Sequence, residues 1–306
     1  MWIIVAIAGY FFLAVSDTID KYLLSGPIPN PKVYAFLVGM LGAVTFLLIP
    51  FGVLEFPGIH IVVLALIAGM MRVLGLLAFF TGLGKFEVSR IVPALGGVLP
   101  IFTLFFVFLL TGEKEVLSFE NFPAFLFLVG GSIGITIERK TFVTVKSLLY
   151  AALIAFLFAI FFVFSKFVYE AQPFLSGLVW IAFGSVFGSF VFLGSKEVRE
   201  SVKSMLMKKK THQTMSKRTR ALFVGNQMVG GGAILLQSLA VALIPFGLLP
   251  FVNALEGVTY FFVFVITFFL SLKFPAILKE NISTKVVLQK LLSIVLIGIG
   301  LLLLAL

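Results

Sequence analysis

The sequence contains no cysteine and only two histidines, His60 and His212. Without cysteine, no disulfide, thiolate nucleophile or cysteine-held metal can form. The two histidines fall near the edges of apolar segments and read as solvated surface residues, so no metal site is expected. Charge is scarce too. Asp, Glu, Lys and Arg make up 12% of the 306 residues, against about a quarter in soluble domains, which excludes a soluble core. No phosphate-cradling P-loop occurs, and no soluble stretch could house a nucleotide-binding domain. An enzyme buried in a membrane would need a nucleophile, base or metal in converging positions. Scattered carboxylates do not supply these, so neither enzymatic activity nor a cofactor is expected.

What the chain has in abundance is apolar length. It is 61% hydrophobic, with a mean hydropathy of +1.19, and runs of about 18 or more apolar residues recur from end to end. The runs are uniformly apolar rather than alternating, which predicts helices and not a barrel. Ten spans are expected, near 2–24, 33–53, 59–83, 89–111, 121–138, 146–168, 174–195, 220–243, 246–270 and 286–306. The opening "MWIIVAIAGYFFLAVSD" lacks a basic leader and reads as a retained first helix. The fold class is therefore an all-α polytopic membrane protein.

Basic residues set the expected orientation. The odd-numbered connections carry 19 Lys and Arg, whereas the even ones and the termini hold Lys114, plus Lys166 at a helix end. This bias places the odd loops in the cytoplasm and both termini outside. Nine of the 19 lie in the loop 196–220. Its stretch "KEVRESVKSMLMKKK" sets Val198, Val202, Met205 and Leu206 on one helical face among cations. That pattern suits an amphipathic helix on anionic membrane lipid, or a solvated linker held inside by its charge. The net charge of +10 is thus assigned to the membrane surface and not to nucleic acid.

The two halves resemble each other. "DKYLL" at 20–24 lies over "SKFVY" at 165–169, pairing Lys21 with Lys166. "GMMRVLG" at 69–75 lies over "GNQMVGG" at 225–231, and after a one-residue gap Pro93 meets Pro250. With five spans per half, the second half must enter the membrane from the opposite side, giving an inverted repeat of 1–140 and 141–306. On these features the chain resembles EamA-type proteins of the drug/metabolite transporter (DMT) superfamily. The basic residues after the first helix of each half, Lys21 and Lys166, fit that family. So do Pro93, Pro100 and the Thr111-Gly112-Glu113 ending of the fourth span. The second half keeps Pro250 but has Glu256 near a second proline's place and "SLK" at 271–273 instead of Gly-Glu. The resemblance implies ten helices in two inverted five-helix repeats. It also implies a secondary carrier of small organic solutes, often an exporter of amino acids or related metabolites, in a multi-pass plasma membrane of prokaryotic type.

Charges at bilayer depth are costly and mark sites, at about 2.5–3.5 kcal/mol each on insertion scales. Arg72 lies near the centre of span three and Glu256 deep in span nine. Arg72 is expected to hold a carboxylate or phosphate through its planar fork. Glu256 is expected to hold a substrate amine or a coupling proton; alternatively, the two neutralise each other. Further candidates are Asn226, Gln227, Gln237, Asn253, Tyr260 and Asp17, with Gln227 and Gln237 expected on one side of span eight. Asp20 and Lys21 read as interfacial and hydrated, and Glu87 with Arg90 as a surface pair. "GGGA" at 230–233 and "GSVFG" at 184–188 read as helix-packing faces. The alternatives kept beside a carrier are a flippase of lipid-linked sugar or polar lipid, and a structural membrane protein. A homodimer is compatible with the sequence.

Overall fold

The computed structural model describes residues 1–25, 30–86, 88–112, 122–136, 145–206, 217–273 and 284–305. Among these there is no strand. The helices run α1 (Trp2–Ser25), α2 (Pro31–Leu41, continuing as a 3-10 helix over Gly42–Phe51), α3 (Ile59–Lys85), α4 (Val88–Thr111), α5 (Phe122–Thr136), α6 (Val145–Ala171), α7 (Phe174–Phe190), α8 (Lys196–Leu206), α9 (Lys217–Leu243), α10 (Leu249–Ala254), α11 (Glu256–Lys273) and α12 (Thr284–Ala305). Among the described residues, eight segments are long and apolar enough to cross a membrane, and two shorter apolar helices cover Phe122–Gly134 and Leu288–Leu303. The chain is an all-α polytopic membrane protein.

Local chemistry sets several of these boundaries. Asn30 caps α2, its side chain accepting from the Lys32 and Val33 amides at 2.9 and 3.3 Å, with Pro31 preset for the first helical position. Gly112 ends α4 at φ +65°, a left-handed conformation that a side chain would resist. The ninth span is discontinuous: α10 stops at Ala254 and α11 begins at Glu256. A break inside a bilayer leaves carbonyls that must find donors within the protein. The Tyr10 hydroxyl donates to the Val252 carbonyl, and the Ser132 hydroxyl donates to that of Ala254 at 2.9 Å. Asn253 donates sideways to Thr103 Oγ1 at 2.7 Å.

Helix packing is closest between α3 and α7. A Cβ added to Gly69 would lie 2.0 Å from the Ile181 carbonyl oxygen, and one on Gly184 would lie 2.3 Å from that of Leu66. "GSVFG" is thus a packing face. The second expected packing face splits. Gly230 meets Ser16, but added side chains at Gly231 and Gly232 would meet nothing within 4 Å. Elsewhere α1 packs on α9, α3 and α4 on α6, and α5 on α12.

The expected amphipathic helix forms as α8. Val198 is buried, and with Val202 it joins a cluster containing Leu23, Tyr34 and Phe192. The Val198 and Val202 part of this face packs on the protein itself. The Glu197 carboxyl is held below its ordinary range, first by backbone hydrogen bonding in the first turn of α8 and then by Lys32 at 3.6 Å. Met205 and Leu206, Lys208 to Lys210, His212, Glu113 and the Glu87–Arg90 pair concern side chains outside the described residues. So do the side chain of Lys21 and the rest of the basic residues of the 137–144 and 274–283 connections.

Candidate functional site

Arg72 sits midway along the 27-residue α3, and it lines two adjoining cavities. The inner one, about 140 Å³, lies among α1, α3, α4, α6, α9 and the α10–α11 break. The outer one, about 490 Å³, lies among α2, α3, α6, α7 and α9. Arg72, Phe161, Tyr169, Ile234 and Ser238 line both. Among the described residues no carboxylate comes within ion-pairing distance of Arg72; the ion pairs are Lys32–Glu197, Lys166–Glu170 and Lys196–Glu200. Arg72 and Glu256 do not neutralise each other. The guanidinium instead has the Tyr169 hydroxyl within electrostatic reach, and Ser238 lies beside that hydroxyl.

Two acidic residues line the inner cavity as well. Asp17 and Glu256 both line it, with Tyr10 and Asn253 beside them, and they lie within electrostatic reach of each other. Glu256 opens the first turn of α11, where the helix dipole favours a negative charge. Its Oε1 accepts from the Tyr260 hydroxyl at 3.2 Å, and its Oε2 is buried without a partner. Leu95, Leu99, Phe158 and Phe162 add apolar lining to the same cavity. A planar cation, two carboxylates and aromatic rings lining one chamber can hold a small molecule by its charged groups while packing its apolar part.

The remaining candidates divide. Gln237 lines the inner cavity and Gln227 the outer, so the two glutamines face different chambers and not one. Asn226 lines neither. It is 2% exposed and donates to Asp20 Oδ1, which also accepts from the Tyr34 hydroxyl. This corrects the reading of Asp20 as a hydrated interfacial residue: it ties α1 to α2 and α9. Lys166 is corrected likewise. It is 2% exposed, pairs with Glu170 at 3.0 Å and donates to the Ala242 carbonyl at 3.2 Å, filling an acceptor in the last turn of α9.

No family model and no curated protein matches the sequence. Sixteen solved chains match the fold. One of them, described as "Crystal structure of protein", superposes with a TM-score of 0.63 over 97% of this chain and 94% of that chain, at 16% identity. At that identity the likeness concerns the fold alone.

Sequence reading missed Tyr10, Ser165, Tyr169 and Ser238, all of which line the inner cavity. A hydroxyl in an apolar run is too common to single out. The only available signal was that Tyr10 and Tyr169 are tyrosines where the neighbouring aromatics are phenylalanines.

Proposed function

We propose that the protein is a secondary transporter, an exporter of small organic metabolites such as amino acids and related polar solutes, working by alternating access. The observation that carries this reading is Arg72, without an ion pair among the described residues, lining a cavity that Asp17 and Glu256 also line. Such a dipolar chamber suits a zwitterion, with its carboxylate at Arg72 and its amine at the acidic pair. A proton taken up by that pair once the amine leaves would supply coupling. The break between α10 and α11 beside Glu256 supports the reading, because carriers commonly bind solute where a membrane helix is interrupted.

Two inverted five-helix repeats, with ten membrane helices in all, are part of the same proposal. Packing partners support it. α1 on α9 and α3 on α6 are the pairs that exchange when the first helix of one half maps onto the first of the other. So does the weak internal likeness that underlies the EamA-type resemblance. We place the protein in the plasma membrane, odd loops inside, with the cations of 196–220 against anionic lipid.

The test is counterflow into proteoliposomes. Unlabelled amino acids trapped inside should drive uptake of labelled ones by the wild type, and Arg72→Gln protein should show none while remaining monodisperse. Equal counterflow by both proteins, or none by the wild type with any zwitterion, defeats the proposal.

A further inference from the structure

The outer cavity is the larger of the two, yet a solute reaching Arg72 through water has no need of it. Its rim is lipid-facing. Val44 on the 3-10 part of α2 is 59% exposed, and Val224, Met228 and Leu235 on α9 are 50%, 75% and 42% exposed. These α9 positions occupy the middle stretch of a helix that runs Lys217–Leu243. The opening therefore faces hydrocarbon and not the aqueous interface. It has a defined sill. Toward the start of α9, the seam between α2 and α9 is shut by the Tyr34–Phe223 ring contact at 5.6 Å and bridged by Asp20 of α1, which accepts from both Tyr34 and Asn226. Beyond that sill, α2 turns away. Its 3-10 continuation stacks on α7 through Phe46 and Phe183, 4.2 Å apart, and the following loop is held there by the Trp180 indole donating to the Glu55 carbonyl at 2.8 Å.

We infer that this opening is a lateral portal through which a bilayer-dissolved, single-chain amphiphile with an anionic head, carboxylate or phosphate, reaches Arg72. The charge pattern selects that occupant. The rim is apolar, and the chamber is lined further in by Tyr169 and by Arg72, whose guanidinium has no ion pair among the described residues. No acidic side chain lines the outer chamber, so a cationic head finds nothing there. The tail lies along Val224, Met228 and Leu235 while the head meets Arg72. A chamber of about 490 Å³ falls within the ordinary range for small-molecule sites, about 300–1,000 Å³. Gly231 widens the passage: it lines the outer chamber, and a side chain there would meet no protein atom within 4 Å. The inference deepens the transporter reading by naming an amphiphile as a substrate class that enters from the side.

The experiment uses the full chain in phosphatidylcholine nanodiscs and a fluorescent probe, 11-(dansylamino)undecanoate, with a probe of the same tail bearing an amine head as the comparison. The wild type should bind the carboxylate probe saturably and the amine probe at least about tenfold more weakly. Gly231→Phe, which fills the passage, and Arg72→Gln should each weaken carboxylate binding about tenfold or more. Gly232→Phe sits one residue along, outside the chamber and equally free of steric conflict, and should bind as the wild type does. If Gly231→Phe protein does not accumulate, Val44→Trp on the facing rim decides by the same criterion. Binding undiminished by the filled passage, or indifferent to head charge, overturns the portal. Should probe binding follow this pattern while amino-acid counterflow is absent, the portal stands and the zwitterion reading fails. Should counterflow need Arg72 while probe binding ignores Gly231→Phe, the zwitterion reading stands and the portal fails.

Discussion

The two sides of the inner cavity differ in kind. α1 and the α10–α11 break contribute Asp17 and Glu256, whereas α4 and α6 contribute Leu95, Leu99, Phe158 and Phe162. On the correspondence that pairs Lys21 with Lys166 and Pro93 with Pro250, Phe162 takes the place of Asp17 and Leu99 that of Glu256. On that correspondence the lining is not duplicated. A symmetric pair of acids would bind an amine equally well in two orientations. An acidic pair with no acidic counterpart, in one lining with Arg72, favours a single orientation.

Removing charge from each pole separately is the strongest way to break this contrast. Arg72→Gln deletes a charge-assisted contact worth roughly 3 kcal/mol, about a hundredfold in binding. It should abolish zwitterion and anion binding alike. Glu256→Gln should reduce zwitterion binding by about tenfold or more and leave anions lacking an amine untouched. Isothermal titration of an amino acid and its deaminated analogue against both variants measures the difference. If the two variants lose both ligands equally, the poles are not separate and the oriented site is wrong.

A second contrast sets the tight α3–α7 seam against the open one between α2 and α9. Gly69→Leu puts a side chain where even a Cβ comes within 2.0 Å of the Ile181 carbonyl oxygen. The helices must then part, and the loss should be at least about 3 kcal/mol, seen as a large drop in the detergent-solubilised unfolding temperature. Normal stability in this variant would mean that α3 and α7 slide freely and that the seam is no rigid support for Arg72.

Lys166→Met gives a smaller effect. Methionine keeps the packing of the aliphatic stem and leaves the Ala242 carbonyl without its donor, at a cost of about 1–2 kcal/mol. The ion pair itself adds little, because Glu170 is half exposed and solvent screens such pairs. The unfolding temperature should fall by a few degrees, with solute affinity unchanged. A loss of affinity would make Lys166 part of the solute path instead of a brace between α6 and α9.

What the sequence disclosed and what it hid follow from the range of the forces involved. Apolar length is a local property, so the spans are readable, as are Arg72 and Glu256, each a charge within an apolar run. Asp20 and Lys166 stand near helix ends, where local reading assigns water. Their partners, Asn226 and the Ala242 carbonyl, come from α9, 206 and 76 residues away in the chain. Gly231 and Gly230 are indistinguishable as letters. Only the placement of α9 against α1 makes one a contact with Ser16 and leaves the other open.

That last pair sharpens into the smallest predicted effect. Gly232 shares with Gly231 a helical conformation and free space around its missing Cβ, but it lies outside the outer chamber. Gly232→Ala should therefore stabilise α9 by about 0.5 kcal/mol, since alanine restricts the unfolded chain and suits a helix better. It should leave amino-acid and amphiphile binding unchanged. The measurement is the unfolding temperature of Gly232→Ala beside that of Gly230→Ala, whose added Cβ would meet Ser16 Oγ at 2.8 Å. A gain at 232 and a loss at 230 follow if α9 seats its glycines as described. Equal behaviour at the two positions would mean that α9 is rotated about its axis, which would close the portal and carry Gln227 away from the outer chamber.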